Sequence, residues 1–243
     1  MASRLQVENR TLALARTGAR CLGACVALAL LFFALPARAN SSTAPRRERL
    51  AATIHAQAPN ISIQAILTSL DAYSHVKQRH LTEKPLVTIV DYSLSSAKRR
   101  LAVVDVNTGK VLFYTYVAQG RGSGLTYATR FSNKPGSEAS SLGVYLTGHT
   151  FYGNEGYSLR LHGLDPEFNG AAYGRGIIMH SAWYVSSAFA QKYHRMGRSW
   201  GCFALSQKVE SAIVNLISDG TVLVGYYPDP KWLGSSPFLK SPA

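Results

Sequence analysis

Acidic residues and cysteines are scarce in this chain of 243 residues. Asp and Glu number 13 against 26 Lys and Arg, a net charge of +13. That excess favours anionic surroundings such as nucleic acid, an acidic membrane face or an acidic polymer, without choosing among them. No zinc-finger, helix-turn-helix or aromatic RNA-binding signature supports the first of these. Closely spaced Cys-x-x-Cys and His-Glu-x-x-His pairs, the usual marks of a metal site, are also missing. No internal repeat occurs, and no apolar run after residue 35 is long enough to cross a membrane. What is present is ample core material: 47% hydrophobic and 10% aromatic residues against 16% charged. Global disorder is therefore excluded, and the length allows one large domain or two small ones.

The first 39 residues read as an export signal. Arg4, Arg10, Arg16 and Arg20 precede an uncharged apolar run over residues 21–35, and Ala37-Arg38-Ala39 supplies the small-x-small cleavage pattern. The alternative is an uncleaved anchor, for which the run is short. Cleavage before Asn40 removes five Arg and one Glu, leaving 21 basic and 12 acidic residues, a net of +9. It also removes Cys21 and Cys25, so Cys202 remains as a lone thiol in an oxidising compartment. Such a thiol is either buried in the core or used for its reactivity.

Residues 40–60 mix Ser, Ala, Pro and Arg without sustained periodicity and read as a flexible leader. Residues 61–82 carry Ile63, Ile66, Leu67, Leu70, Tyr73 and Val76 at helical spacing, with Asn60 near the cap. Strands are expected over 86–92, 100–106, 110–118, 144–147, 158–161, 177–180 and 221–227, and Asn107-Thr108-Gly109 forms a hairpin turn between the second and third. Helices are expected over 185–193 and 208–217, the second capped by Ser206. The long Gly- and Ser-rich stretch 119–142 is a candidate substrate-facing loop, or simply a flexible excursion. Residues 231–243 read as a C-terminal tail. The balance is a mostly β domain with attached helices rather than an alternating βαβ fold.

The chemistry concentrates in two places. Residues 177–180 end a buried strand in His180, and 22 positions later Arg198-Ser199-Trp200-Gly201-Cys202 presents the remaining thiol. A cysteine nucleophile needs a base or an imidazolium beside it, because its ordinary pKa of about 8.5 leaves only a small ionised fraction at pH 7. His180 can supply both functions. Gly201 leaves room for a substrate backbone, and its amide with that of Cys202 can serve an oxyanion. Ser199 can orient the imidazole or bind substrate, and Arg198 can hold a carboxylate. His162 follows a strand that leads toward the same region, and Tyr127 and Trp200 are candidate cleft aromatics.

Gly197-Arg198-Ser199-Trp200-Gly201-Cys202, preceded by His180 and Tyr184-Val185-Ser186, resembles the murein L,D-transpeptidase family, the YkuD-like cysteine enzymes. The resemblance extends to Asp91-Tyr92-Ser93-Leu94, the 107–112 hairpin, residues 131–137 and 157–161, and covers roughly residues 86–228. It implies a β-sandwich or barrel-like catalytic domain, placed at residues 83–230. It also implies a two-step acyl transfer on peptidoglycan stem peptides, with Cys202 as nucleophile, His180 as base and no cofactor or metal. Ser181 after the histidine, Phe203 after the cysteine and Ala204 in place of an Arg depart from the family pattern and bear on substrate fit. Arg160, Arg175 and Arg198 flank the cleft-forming segments and suit a carboxylate-bearing polymer. Other readings stay open: an L,D-carboxypeptidase or amide hydrolase using the same cysteine, a non-catalytic peptidoglycan-binding module, or a metal site built from His149, His162, His180 and Cys202. An exported protein of this kind is expected to meet no nucleic acid and, once the signal is cleaved, to keep no membrane span. The sequence leaves its oligomeric state open.

Overall fold

The computed structural model describes residues 43–240; the export-signal reading lies outside them. Eight strands form one mixed sheet: β1 (Leu86–Asp91), β2 (Leu101–Asp105), β3 (Lys110–Thr115), β4 (Gly143–Gly153), β5 (Gly156–Gly163), β6 (Ile178–Ser181), β7 (Phe203–Leu205) and β8 (Val222–Tyr226). Their order is β3-β2-β1-β8-β4-β5-β6-β7. All neighbours are antiparallel except β1 with β8 and β6 with β7. The sheet curls until the chain following β3 reaches its far edge, where Ala118 bridges Ala204 of β7, its amide 2.9 Å from the Ala204 carbonyl. The mostly β, barrel-like expectation holds.

Strand alternation sorts the side chains. Leu159, Leu161, Met179, Phe203 and Leu205 enter the main core with Val87, Ile89, Val222 and Val224. Tyr145 meets Phe203 edge to face with ring centroids 5.5 Å apart, an arrangement that fixes both rings. Ser158, Arg160, His162, Ile178, His180 and Ala204 occupy the intervening positions and turn to the opposite face.

Five helices brace this sheet: α1 (Thr43–Gln57), α2 (Ile63–Gln78), α3 (Ser187–Tyr193), α4 (Glu210–Ile217) and α5 (Pro230–Ser235). Most of the supposed leader is therefore a helix. Ala51, Ile54 and Ala58, spaced three and four apart, are buried, and Gln57 bonds the Gly109 carbonyl and the Val111 amide at 2.9 and 3.1 Å. A stripe this narrow and this small gives little periodic signal, and its stability comes from what it packs on. The supposed C-terminal tail contains α5, anchored by the fully buried Trp232, whose indole donates to Asp165 at 3.0 Å.

Two caps also differ from expectation. Ser62, not Asn60, caps α2: its hydroxyl accepts from the Ala65 amide and donates to buried Asp91. Ser206 does not cap α4 with its side chain. Its carbonyl accepts the Glu210 amide, and the cap position is Val209.

Candidate active site

The parallel β6–β7 register pairs His180 with Ala204, so Cys202, two residues earlier, lies level with Ile178 and on the same face as His180. Antiparallel pairing then places Ser158 beside His180 and Arg160 beside Ile178. Two rows cross this face: Ser158, His180 and Ala204 in one, Arg160, Ile178 and Cys202 in the other. The sequence-predicted imidazole thereby stands on β6 and the thiol in the turn that leads into the neighbouring β7.

His180 is buried at 3% exposure. Its Nδ1 lies 2.9 Å from the Ser181 carbonyl oxygen. A carbonyl only accepts, so Nδ1 carries the hydrogen and, in the neutral ring, Nε2 keeps the lone pair. The Glu155 carboxylate stands 3.7 Å from the same Nδ1. Glu155 belongs to the two-residue turn joining β4 and β5, closed by Gly156 at φ +81°.

Cys202 is partly buried, and its thiol donates to the Gly176 carbonyl at 3.6 Å. Burial pushes the thiol above its ordinary range. The Ile178 amide opposes this by donating to the sulfur, Glu155 adds to the rise, and Arg175 and the Cys202 amide lower it. Residues 175–178 thus form a cradle with an acceptor for the thiol, a donor for the thiolate and a nearby cation.

The turn before Cys202 is held by its own backbone and by the 119–142 loop. The Ser199 hydroxyl donates to the Cys202 carbonyl at 2.7 Å and accepts the Gly201 amide at 3.2 Å. It is therefore committed to the turn rather than to the imidazole, and the Gly201 amide faces Ser199 instead of an oxyanion. Gly201 has φ +121°, and a Cβ there would sit 2.7 Å from the Ile177 side chain and 2.9 Å from the Ala139 carbonyl oxygen, so only glycine fits. Ser140 donates to the Gly201 carbonyl at 3.0 Å, and the Arg121 amide to the Ser199 carbonyl at 2.8 Å. The candidate substrate loop is thus also a brace. Gly197 lies against the ring of Tyr184, where a Cβ would come within 2.4 Å of it. The two motif blocks are one packed unit, which explains their occurring together.

The remaining predicted residues spread outward. Arg198 is exposed. Trp200 is 72% exposed, with the Arg121 guanidinium 5.6 Å from its ring. Tyr127 is exposed on the 119–142 loop. His162 stacks on Tyr173 at 4.9 Å, one step along β5 beyond Arg160, on the face of Cys202 but outside its row. Arg175 is saturated by the loop, donating to Ser132, Ser137, Ala139 and Ser141. Among the described residues no group of three or more His, Cys, Asp or Glu side chains converges as metal ligands would, and no helix is long and apolar enough to cross a membrane. Sequence reasoning missed Glu155, whose only signal is a turn flanked by Gly153 and Gly156.

The model of the L,D-transpeptidase catalytic domain (YkuD_2) matches residues 57–226. Similar solved structures include an L,D-transpeptidase from Mycobacterium smegmatis, at 16% identity and TM-score 0.36, covering 58% of each chain. LdtMt1 in complex with imipenem gives 17%, 0.36 and again 58% of each chain. An L,D-transpeptidase (Yku) from Stackebrandtia nassauensis gives 14% and 0.36, covering 76% of this chain and 92% of that one. The chain thus spans 58% of the length of the first two. No curated protein matches it. With the family model covering 170 of its 243 residues, the chain belongs to the L,D-transpeptidase catalytic domain family.

Proposed function

We propose that this protein is an exported cysteine acyltransferase acting on peptidoglycan stem peptides in the periplasm or cell envelope. Cys202 is its nucleophile and His180 its general base. The observation that carries the reading is the shared face of β6 and β7, with a tautomerically fixed His180 on β6 and Cys202 immediately before β7. His180 Nε2 takes the thiol proton as Sγ leaves the Gly176 carbonyl and attacks the carbonyl that precedes a terminal D-Ala. The Ile178 amide and the Arg175 charge favour the thiolate. Collapse of the tetrahedral adduct breaks the peptide bond, D-Ala leaves with the proton held by His180, and a thioester remains. An amine from a second stem peptide then gives up a proton to His180, attacks the thioester and restores the thiol.

With water in place of the amine, the same groups perform an L,D-carboxypeptidase reaction. The partial exposure of Cys202 admits either acceptor. The test is mass spectrometry of tetrapeptide digests and of intact protein after exposure to a carbapenem. The wild type is expected to release D-Ala and gain one carbapenem adduct, and Cys202→Ala to do neither. D-Ala release by Cys202→Ala would overturn the mechanism, and a wild type inert in both assays would leave a binding module.

A further inference from the structure

Several arginines are committed to the fold. Buried Arg100 donates to the Val117 and Leu94 carbonyls and to Gln119. Arg175 fills its fork with the 132–141 loop, and Arg47 grips Asp71 through two bonds of 2.6 Å. These are structural, since their guanidinium groups are engaged by backbone and side chains of the fold. Arg160 differs: among the described residues its guanidinium makes no hydrogen bond and no ion pair, and its Nε is buried without a partner. A buried donor left unmatched is costly unless something else meets it.

Arg160 is also held in place. Its guanidinium lies 3.9 Å from the centre of the Phe151 ring and 5.7 Å from that of Tyr173, and His162 stacks on Tyr173. Aromatic contact occupies the faces of a guanidinium, and with Nε buried it is the two terminal nitrogens of Arg160 that are left for a planar anion. Arg160 shares the row of Ile178 and Cys202. Two strand spacings separate its backbone from that of the nucleophile, about 10 Å.

We infer that Phe151, Arg160 and Tyr173 form a carboxylate-binding subsite of the Cys202 cleft. It receives a carboxylate of the donor stem peptide lying two to three residue lengths upstream of the scissile carbonyl, at about 3.5 Å per extended residue. This inference rests on the transpeptidase reading for the identity of the peptide, but its test is independent of turnover.

In the Cys202→Ala background, binding of a free tetrapeptide and of its counterpart amidated at the upstream carboxylate is measured by calorimetry, with and without Arg160→Met. Methionine keeps an apolar stem between the two rings. Arg160→Met is expected to weaken the free peptide about tenfold or more and to make the two peptides bind alike, with a melting temperature within 2 °C of the parent; Arg160→Lys falls between. Equal affinity of both peptides for the Arg160 protein, or an amidation effect that survives in Arg160→Met, overturns the subsite. If the wild type fails to release D-Ala while the Arg160-dependent difference persists, the reaction falls and the subsite stands.

Discussion

At the scale of single residues, the thiol is governed by two opposite charges on different segments. Burial raises its pKa most, the Glu155 carboxylate raises it further and the Arg175 guanidinium lowers it. Glu155→Gln removes a charge that disfavours the thiolate, so the midpoint of Cys202 alkylation by iodoacetamide is expected at lower pH than in the wild type. Raising the ionic strength should shrink the difference, because Glu155 is 59% exposed and its field is screened. An unchanged midpoint would show that Glu155 does not reach the sulfur. Gly201 is constrained by geometry instead. Gly201→Ala combines a left-handed φ with a clash against Ile177 and backbone. It is expected to cost about 1–3 kcal/mol in denaturant unfolding and to slow alkylation more than tenfold, by displacing the turn that presents the sulfur. The conservative Ser199→Ala change tests the same turn more gently, since it deletes two bonds but no backbone freedom.

At the scale of elements, what could be read from the residues depended on how strongly a pattern repeats. The strands β1, β2, β3 and β8 are dense in β-branched residues, and α2 shows a wide apolar stripe; these emerge near their observed bounds. The short β7 does not, because three residues after a turn carry no period, and only pairing with β6 makes them a strand. The β4–β5 hairpin runs well past its expected ends to Gly153 and Gly156, carrying Glu155 toward His180. Motif chemistry picks out Cys202 and His180, and position along the chain offers Arg175 only as a cation for the polymer; its engagement by the 132–141 loop, and Glu155 beside His180, come from loops whose course no local signal specifies. The start of α4 provides a further test. Glu210 is buried, with Oε1 unpartnered. Burial holds its carboxyl above the ordinary range, although the Ser211 hydroxyl and the His180 imidazole pull it down. A carboxyl raised in the folded state loses stability as pH climbs past its unfolded value. Glu210→Gln is therefore expected to be more stable than wild type in urea at pH 7 and indistinguishable below the ordinary carboxylate range. A mutant less stable at pH 7 would mean that the charge at the helix start outweighs burial.

At the scale of the whole molecule, the Ala118–Ala204 bridge joins the chain after β3 to the β7 edge, and α5 packs on Tyr226 of β8 through Trp232. Buried Asp165 gathers the Val144 amide, the Trp232 indole and the Ser236 hydroxyl, tying the last helix to β4. Trp232→Ala leaves a large cavity and removes one of the three donors to Asp165, and is expected to cost about 3–5 kcal/mol in thermal or denaturant unfolding, while the Cys202 thiol keeps its pH response. A loss below 1 kcal/mol would mean that the C-terminal segment only rests on the sheet.

The alternation of β7 has one more consequence. Phe203 enters the core against Tyr145 and Tyr92, while its neighbours Cys202 and Ala204 take the other side. Sliding this three-residue strand by a single position would send the sulfur into the main core and the ring onto the face of His180 and Ala204. Which way the Cys202 thiol points is thus decided by an aromatic side chain on the opposite face, acting as a pin through the sheet.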